Sequence, residues 1–530
     1  MRRLLIPLIL VAATACQDLA VTNPNEPDRT RATQQPAAVE AFVASSFRTW
    51  WPVAGHDDYP GWALSTIARE VTSGFADFGQ LELSTEPRSA WNNSPVNARN
   101  NVSEDPWYDL YSVVSTVNDA LIAIDDGLEI GSGNTVASST TRAHAFAKFM
   151  QALSYGYLGL YFDKAFIIDE TTQLDTIQTP EFTPYEGVRD AAVAQLDAAV
   201  QIAQENSFTL PADQWLFTAM TRDQFVRLAN SFAAKFIAYT PRTREERAAA
   251  DWEEVIRRVD AGIQADFAPV AQPDILWDDW KRLVARVRNS ARPSDFGRPS
   301  YWLIGPADAT DGFVDWVATP VADRTAFQLQ TQDRRIQGDD NPETPGTYVG
   351  FNENNIFAAS RGTYRFSWYF FRRYGTGTSW QNGPQPAVTV TEMDLLKAEA
   401  LIRLDRAAEA VPLINKSRVA NGQLPPVTLD GPPNEPGCVP RKLNGECGSL
   451  WDALRYEKGI EMLGVDAVTT YFDRRGWQEL PENSILQLPV PGRELGTLRL
   501  PLYTFGGPGG ESSAPAPDPE RCPVALPRCP

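Results

Sequence analysis

Helical segments with marked beginnings recur along most of this chain, and their recurrence limits the possible folds more than any other sequence feature. Thr221 and Gln224 have the spacing of a capping box, and Thr183 and Glu186 repeat it with Pro184 at the first helical position. Apolar residues follow each start at steps of three and four, as on the buried face of a helix. Such starts lie roughly 34 to 40 residues apart, which predicts tetratricopeptide-type helix pairs.

Further helices are predicted on both sides of this region. Asp105 followed by Pro106 is typical of a helix start, and Asp251 is placed to cap another helix. Residues 391–404 and 406–420 form one more periodic pair late in the chain. The chain is therefore predicted to be mainly α-helical.

The helical pattern also divides the chain into regions. Helix pairs are expected in residues 36–265 and again in residues 388–500, where the late repeat lies. Between them, residues 266–387 lose the helical period and contain six of the fifteen tryptophans. This stretch is too long for a connector, so we expect an irregular, aromatic-rich subdomain packed on the helices. Residues 501–530 are rich in proline and glycine and are predicted to be a wrapped or partly disordered tail.

The first residues have the order of a lipoprotein signal. Arg2 and Arg3 precede twelve apolar or small residues, which would span about 18 Å as a helix and cannot cross the roughly 30 Å membrane core. A cysteine, Cys16, follows the small residues at the expected cleavage position. We therefore expect a signal peptide over residues 1–15, acylation of Cys16, for example with palmitate, and a tether over residues 16–35. A secreted soluble precursor is the alternative.

The net charge excludes one class of partner. The whole chain carries −19, and loss of Arg2 and Arg3 with the signal peptide gives −19 − 2 = −21. Such a protein would repel the phosphates of nucleic acids and anionic lipid head groups. Nucleic acid is therefore not an expected partner, and the membrane contact is expected through the lipid alone.

Four cysteines remain after Cys16, and their spacing suggests disulfides. An even number suits an oxidising compartment, and of the three possible connectivities we favour the two local ones. Zinc is the less favoured alternative because the CxxC spacing of a zinc ribbon is missing. The candidate pairs are Cys438 with Cys447 and Cys522 with Cys529.

Catalytic motifs are missing from the sequence. It has no Gly-x-Ser-x-Gly elbow, Walker phosphate loop, His-Glu-x-x-His pair or Gly-x-Gly-x-x-Gly dinucleotide loop. It has only two histidines, and we interpret His56 as a solvated loop residue and His144 as a packing or surface residue. These features predict a protein that is not an enzyme and has neither a cofactor nor a metal site.

A pair of carboxylates is the strongest catalytic alternative, since glycoside hydrolysis needs two acids about 5 to 10 Å apart. Glu457 and Glu461 are one helical turn apart, and Arg474 and Arg475 follow in the next predicted element. We interpret all four as structural ion pairs, because adjacent guanidinium groups would lower the pKa of a catalytic acid. A glycosidase is the less favoured interpretation.

Aromatic residues are abundant outside the periodic helices, where burial in a repeat core does not account for them. A flat indole face can stack on a sugar ring, and nearby amides and carboxylates can accept hydrogen bonds from its hydroxyls. Core packing is the alternative for each residue, because irregular regions also need aromatic fillers. The candidate ligand-binding residues are Trp62, Trp91, Asn92, Trp277, Trp280, Trp302 and Trp316.

Several segments spread along the chain occur in an order typical of one protein family. They are Cys16-Gln17-Asp18-Leu19, Asp333-Arg334-Arg335, residues 391–419, Leu454-Arg455-Tyr456-Glu457-Lys458-Gly459-Ile460-Glu461, Phe472-Asp473-Arg474-Arg475-Gly476-Trp477 and Leu488-Pro489-Val490-Pro491. Together they resemble the SusD/RagB-like family of outer-membrane nutrient-binding lipoproteins over nearly the whole mature chain. One departure is Glu457-Lys458, where the family usually has Glu-Arg.

The resemblance implies a mainly α fold in which tetratricopeptide-like helix pairs form a right-handed superhelical scaffold, with a large irregular, loop-rich ligand-binding subdomain. It also implies a lipid-anchored protein on the exterior of the outer membrane. Such proteins capture oligosaccharides, or in some cases peptides, without catalysis and deliver them to a SusC-like TonB-dependent transporter. The resemblance supplies no binding residues. Peptide capture and a repeat-based envelope scaffold are the alternatives to oligosaccharide binding.

Overall fold

The protein is built mainly from α-helices. A computed structural model describes residues 32–56, 59–73, 78–173, 181–272, 275–276, 280, 287–289, 292–293, 297–353, 367–374 and 383–516. The helices in these ranges are α1 Pro36–Trp51, α2 Gly61–Ile67, α3 Gln80–Ser84, α4 Asn101–Asp125, α5 Val136–Tyr161, α6 Tyr185–Ala203, α7 Arg222–Tyr239, α8 Arg244–Ala248, α9 Trp252–Asp260, α10 Tyr301–Ile304, α11 Gly312–Ala318, α12 Val390–Arg403, α13 Ala407–Ala420, α14 Leu450–Met462, α15 Thr469–Gly476 and α16 Gly492–Thr497.

Short strands form antiparallel two-stranded ladders between the helices. β1 pairs with β9, β2 with β3, β4 with β5, β6 with β12, β7 with β8 and β10 with β11. The strands are β1 Val71–Ser73, β2 Lys164–Ala165, β3 Thr183–Pro184, β4 Thr209–Leu210, β5 Met220–Thr221, β6 Val270–Ala271, β7 Val287–Asn289, β8 Arg292–Pro293, β9 Gly297–Pro299, β10 Val349–Phe351, β11 Tyr369–Phe371 and β12 Gly383–Pro384.

The helices pack in a continuous series. Helix α1 packs on α4, α4 on α5, α5 on α6 and α6 on α7, and the series continues through α9 to α12. Helix α12 then contacts both α13 and α14. The predicted mainly α fold with tetratricopeptide-like helix pairs is confirmed.

Helix α5 lies at the centre of the first part of this series, and nearly every residue from Ala143 to Tyr161 is buried. Its close contact with α7 depends on Gly156. A Cβ atom at this position would lie 2.0 Å from Cζ of Phe236, so any side chain would force the two helices apart.

Two of the predicted helix caps are confirmed and two are wrong. Thr221 and Gln224 form the capping box of α7, and Asp251 accepts a hydrogen bond at the start of α9. Helix α4 begins at Asn101, and Pro106 lies inside it instead of at its first position. Thr183 makes no cap for α6, because it belongs to strand β3 and pairs with Ala165. Strand pairing therefore competes with capping at that position.

The proline-rich tail wraps onto the body as far as residue 516. The amide of Trp91 donates to the carbonyl of Phe505, and the amide of Asn483 donates to that of Ala514. These backbone hydrogen bonds fix the segment against regions far away in sequence, which the tail's composition alone did not reveal.

Several expectations concern residues outside the described ranges. They are the signal peptide, Cys16 and most of the tether, Trp277, and the pair Cys522 and Cys529. No helix in the described ranges combines the length and the apolar character that spanning a membrane requires.

Candidate functional site

Most of the predicted sugar-stacking tryptophans lie in the core. Trp62 and Trp280 are 0% exposed and Trp91 is 3% exposed, so their predicted role as binding surfaces is corrected. Their indoles pack among apolar side chains, since irregular segments also bury aromatic residues in this fold. Asn92 is exposed next to Trp91 but lies in a turn, where its side chain accepts from the amide of Ser94.

Trp302 and Trp316 form an aromatic cluster with Phe313. Trp302 is partly buried, and its indole lies edge-to-face with Phe313 at 5.9 Å and with Trp316 at 6.0 Å between ring centroids. Ser300 follows β9 and opens α10 by accepting a hydrogen bond from the amide of Trp302. Trp316 is 9% exposed and stacks on Phe313. Trp302 is thus the more accessible of the two indoles.

A cavity lies beside Trp302. Its volume of about 120 Å³ is well above the roughly 10 to 15 Å³ that admits one water. Its walls come from α10, α14 and α15 and from the loop between Cys438 and Cys447. The aromatic lining residues are Trp302, Phe313, Tyr456 and Trp477. The charged lining residues are the cations Arg69, Arg441, Lys442, Arg455, Lys458 and Arg474 and the acids Asp452, Asp473 and Glu479. The cavity thus combines flat apolar rings with planar hydrogen-bonding groups.

The loop that forms one wall is closed by a disulfide. Cys438 and Cys447 are bonded with an S–S distance of 2.00 Å, as their spacing predicted. Within the loop, the amide of Arg441 donates to the carbonyl of Pro306 at 2.7 Å, and its guanidinium donates to the carbonyl of Thr310 at 2.5 Å. These contacts hold the loop against the segment that follows α10.

Arg69 separates this cavity from a second, smaller one of about 60 Å³, which it and Trp302 also line. Its guanidinium carbon lies 4.3 Å from the centroid of the Trp302 ring, within cation–π distance. It also contacts Glu86, with 2.6 Å between Nη2 and Oε1. Burial raises the pKa of Glu86, but Arg69 and Arg88 outweigh that effect and the net pKa is lowered.

The backbone of Arg69 has a φ of +55°, a conformation that costs energy in a residue with a side chain. From this backbone the guanidinium reaches both Trp302 and Glu86. Arg69 and Trp302 line both cavities, so the wall that they form is a candidate binding surface.

Glu457 and Glu461 do form ion pairs, but their partners are not the predicted arginines. Arg335 donates from Nη1 to Glu457 at 2.6 Å and to Glu461 at 2.8 Å, and it also binds Asp333. Arg418 lies 3.3 Å from Glu457. Burial raises the pKa of Glu457, and Arg335 only partly opposes this. The side chains of both glutamates are at most 1% exposed, so a substrate cannot reach the pair.

Arg474 and Arg475 bind backbone carbonyls instead of these glutamates. Arg474 donates to the carbonyls of Ala68 and Trp302, and Arg475 donates to those of Leu160, Leu486 and Tyr239. The prediction of direct pairing is wrong because Arg335 enters from a distant loop and occupies the carboxylates. The two arginines cross-link helix ends and loops.

A second buried ionic cluster adjoins the cavity. Lys458 lies 2.8 Å from Asp473, and Arg247 contacts both Asp473 and Glu399. Burial raises the pKa of Asp473, with Lys458 and Arg247 opposing it. Burial also tends to raise the pKa of Glu399, but Arg247 and Arg403 outweigh burial and lower it. The cluster fixes the cavity wall that α14 and α15 form.

Some residues at this site carry no sequence signal, and one residue outside it, His56, differs from its prediction. No local pattern marks Arg69 or Lys442 as cavity residues, since their neighbours are brought in by tertiary packing. The Asp333-Arg334-Arg335 segment carried a signal as part of the family resemblance, although it did not reveal the pairing with Glu457. His56, predicted to be solvated, is 2% exposed and stacks on Trp51 at 3.7 Å between ring centroids.

Comparison with known proteins relates the fold to solved structures. No protein-family model matches the sequence, and no curated protein matches it. A SusD-like protein from Bacteroides fragilis aligns over 90% of this chain and 98% of its own, with a TM-score of 0.56 and 15% identity. A SusD homolog from Parabacteroides distasonis aligns over 85% and 87%, with a TM-score of 0.56 and 13% identity.

Surface glycan-binding protein A from Bacteroides thetaiotaomicron aligns over 89% of this chain and 99% of its own, with a TM-score of 0.54 and 12% identity. These alignments span nearly the full length of each protein. The chain therefore has the SusD-like fold that its sequence segments predicted.

Proposed function

We propose that this protein, which has the SusD-like fold, is a non-catalytic surface lipoprotein that captures oligosaccharides and delivers them to a partner transporter. The observation that carries the proposal is the position of Trp302. Its indole is partly exposed at the wall of a cavity that also contains Phe313, Asp452 and Arg455. Aromatic faces with planar hydrogen-bonding groups are suited to a sugar ring, which is apolar on its faces and polar at its edge.

The fold supports the same proposal. A neighbour of the same fold is described as a surface glycan-binding protein, and its alignment covers almost all of both chains. Fold alone does not fix function, so the proposal depends on Trp302 and its cavity.

The N-terminal segment and the fold support a proposed location. Acylation at Cys16 would anchor the protein by several acyl chains, each buried CH₂ contributing about 0.8 kcal/mol. We place the anchored protein on the exterior of the outer membrane, where a SusC-like TonB-dependent transporter would receive the ligand.

Catalysis is not part of the proposal. The best pair of carboxylates, Glu457 and Glu461, is held by Arg335 in the protein interior, with hydrogen bonds of 2.6 and 2.8 Å. A general acid has to reach the glycosidic oxygen directly or through one water. This pair is therefore assigned a structural role.

Calorimetric titration of the mature protein with plant and microbial oligosaccharides tests the binding proposal. We expect Trp302→Ala to weaken the affinity for a bound oligosaccharide by about tenfold or more, because the stacking surface is lost. Trp368→Ala is the control, since Trp368 is also partly exposed but packs on Phe351 away from the cavity. Equal losses in the two variants, or binding of peptides but no oligosaccharide, would reject the proposal.

Fractionation of cells tests the anchor and the partner. Cys16→Ser is expected to move the protein from the outer membrane to the soluble fraction. The control, Cys447→Ser, keeps Cys16 and is expected to stay in the outer membrane. Affinity purification from detergent-treated outer membranes should recover a TonB-dependent transporter. Recovery of other envelope proteins alone, with no ligand binding, would favour a scaffold.

A further inference from the structure

The cavity beside Trp302 is basic although the protein is acidic. The whole chain carries −19, whereas six cations and three carboxylates line the cavity, a difference of 6 − 3 = +3. A positively charged cavity in a negatively charged protein attracts negatively charged ligands to that site.

Most of these cations already have partners. Arg455 is paired with Asp452 and Glu479, and Lys458 with Asp473. Arg69 pairs with Glu86 and Arg441 with Asp311, two acids that lie outside the cavity lining. These four cations are therefore largely neutralised before any ligand enters.

Arg474 and Lys442 are different. Neither has an ion-pair partner among the residues that the structure describes. Arg474 is 9% exposed and uses two of its five N–H groups on the carbonyls of Ala68 and Trp302. Lys442 is partly buried on the opposite segment, the disulfide loop. Burial lowers the pKa of Arg474, and Glu479 and Glu70 only partly oppose this because neither forms an ion pair with it.

One further donor lies in the same wall. Arg455 is 8% exposed, and its Nε is buried without an acceptor within the described ranges. A buried donor without an acceptor costs about 1 to 3 kcal/mol. An oxygen-bearing anion in the cavity is one group that could satisfy it.

Trp302 lies next to two of the cavity's guanidinium groups. Arg474 donates to the carbonyl of Trp302 at 3.3 Å, and Arg69 lies 4.3 Å above its ring. A sugar that stacks on this indole would therefore place its ring substituents close to guanidinium groups. Charge-assisted hydrogen bonds from guanidinium to carboxylate or sulfate are stronger than those to a neutral hydroxyl.

We infer that the cavity selects negatively charged oligosaccharides, with the anionic group bound between Arg474 and Lys442 beside Trp302. The inference rests on the proposed function and specifies its ligand class. A uronic acid carboxylate and a sulfate ester provide the same chemistry here. An acidic peptide would share the charge but lacks the flat ring that stacks on the indole.

Calorimetric titration of the mature protein with matched probes tests the inference. The probes are oligogalacturonate, the same oligomer with its carboxylates reduced to neutral alcohols, a sulfated oligosaccharide of equal length and a glutamate oligopeptide. We expect one or both acidic sugars to bind about tenfold or more tightly than the neutral oligomer. Their relative affinities identify which anion is preferred. Added NaCl should weaken binding of the acidic sugars and have little effect on the neutral one.

Two lysine variants separate a local charge effect from a global one. Lys442→Gln removes a cation that has no ion-pair partner, so it leaves no buried acid behind and should fold. We expect it to reduce the affinity for the acidic sugar at least severalfold more than Lys416→Gln does. Lys416→Gln is the control because it makes the same change in net charge at an exposed pair with Asp394.

Each outcome decides between the proposals. Equal affinity for acidic and neutral oligomers, or equal effects of the two lysine variants, overturns the inference and leaves oligosaccharide binding in place. Binding of the glutamate peptide without any sugar overturns both. Failure of all four probes, together with no binding in the wider oligosaccharide panel, rejects the proposed function itself.

Discussion

Arg335 and Glu457 are both completely buried, and Nη1 of Arg335 donates to Oε2 of Glu457 over 2.6 Å although 122 residues separate them. The same guanidinium also binds Asp333 and Glu461. Arg335 therefore joins a loop of the irregular region to helix α14. Neither residue lines the cavity, but Tyr456 and Lys458, the neighbours of Glu457 in α14, do, so the contact supports the cavity wall.

Replacing this arginine should strongly destabilise the protein. Arg335→Leu leaves Asp333, Glu457 and Glu461 buried without their main partner, and loss of one member of a buried ion pair costs roughly 3 to 5 kcal/mol. Denaturant unfolding followed by circular dichroism measures the change. The control is Arg334→Leu, whose partner Asp340 is 98% exposed, so that a change within about 1 kcal/mol is expected. Similar losses in both variants would contradict a special role for Arg335.

Gly459 offers a way to separate binding from stability. It lies in α14 at the cavity wall, where a Cβ would meet only Leu303, at 3.2 Å from its Cδ1. Gly459→Ala should therefore add a methyl group to the cavity and gain up to about 1 kcal/mol of helix propensity. We expect severalfold weaker oligosaccharide binding, measured by calorimetry. The free energy of unfolding should stay within about 1 kcal/mol of the original in denaturant unfolding, because Leu303 must shift slightly while the helix gains propensity.

The control for this variant is Gly496→Ala in α16, where a Cβ would have no atom within 4 Å. It should change helix propensity without changing affinity. If Gly459→Ala bound ligand as tightly as the unchanged protein, the cavity would not be the binding site.

Glu70 should make stability depend on pH. It is completely buried, and burial raises its pKa to about 8, with Asp466 adding to the effect and the amide of Gly464 opposing it. The folded protein therefore retains a proton that the unfolded chain releases above its ordinary pKa of about 4.5. Between these values the free energy of unfolding should fall as pH rises, by up to about 1.4 kcal/mol per pH unit.

Glu70→Gln mimics the protonated acid and should remove this contribution. We expect the variant to match the original protein near pH 5 and to exceed its stability near pH 8, in denaturant unfolding at a series of pH values. Glu482→Gln, at an exposed site, should leave the pH dependence as it was. A Glu70→Gln variant that parallels the original protein at every pH would show that Glu70 does not titrate in this way.

The disulfide should contribute to stability and to the shape of the cavity. In the chain-entropy estimate, closing a loop of this size stabilises the fold by about 2 to 3 kcal/mol. Substituting both Cys438 and Cys447 by serine should reduce the free energy of unfolding by about that amount and weaken oligosaccharide binding, because Arg441 and Lys442 belong to the closed loop. A reductant should affect the original protein similarly and have no further effect on the double variant. Unchanged affinity in the double variant would show that the loop does not shape the binding site.

Local sequence signals predicted the parts of the structure that depend on local chemistry. The capping box at Thr221 and Gln224 formed as expected, because its hydrogen bonds join residues three positions apart. The Cys438 and Cys447 pair formed across nine positions. Thr183 failed as a cap because a strand partner 18 residues earlier, Ala165, competed for its backbone.

The candidate site was only partly predictable. Trp302 was among the predicted ligand residues and lines the cavity, whereas Trp62, Trp91 and Trp280 are buried. All of them lie outside the strongly periodic helices, so the pattern could not separate accessible from buried indoles. That distinction depends on which other segments pack over each ring.

The sequence by itself determined that this chain forms successive amphipathic helices, carries one short disulfide loop and contains the ordered segments of the SusD/RagB-like family. These properties follow from periodicity, capping and spacing over a few residues. Only the tertiary structure decided that Arg335 pairs with Glu457 and that Arg69 lies beside the Trp302 ring. Side chains so far apart in sequence meet only after the helices have packed, and burial then fixes which charges are paired and which remain available to a ligand.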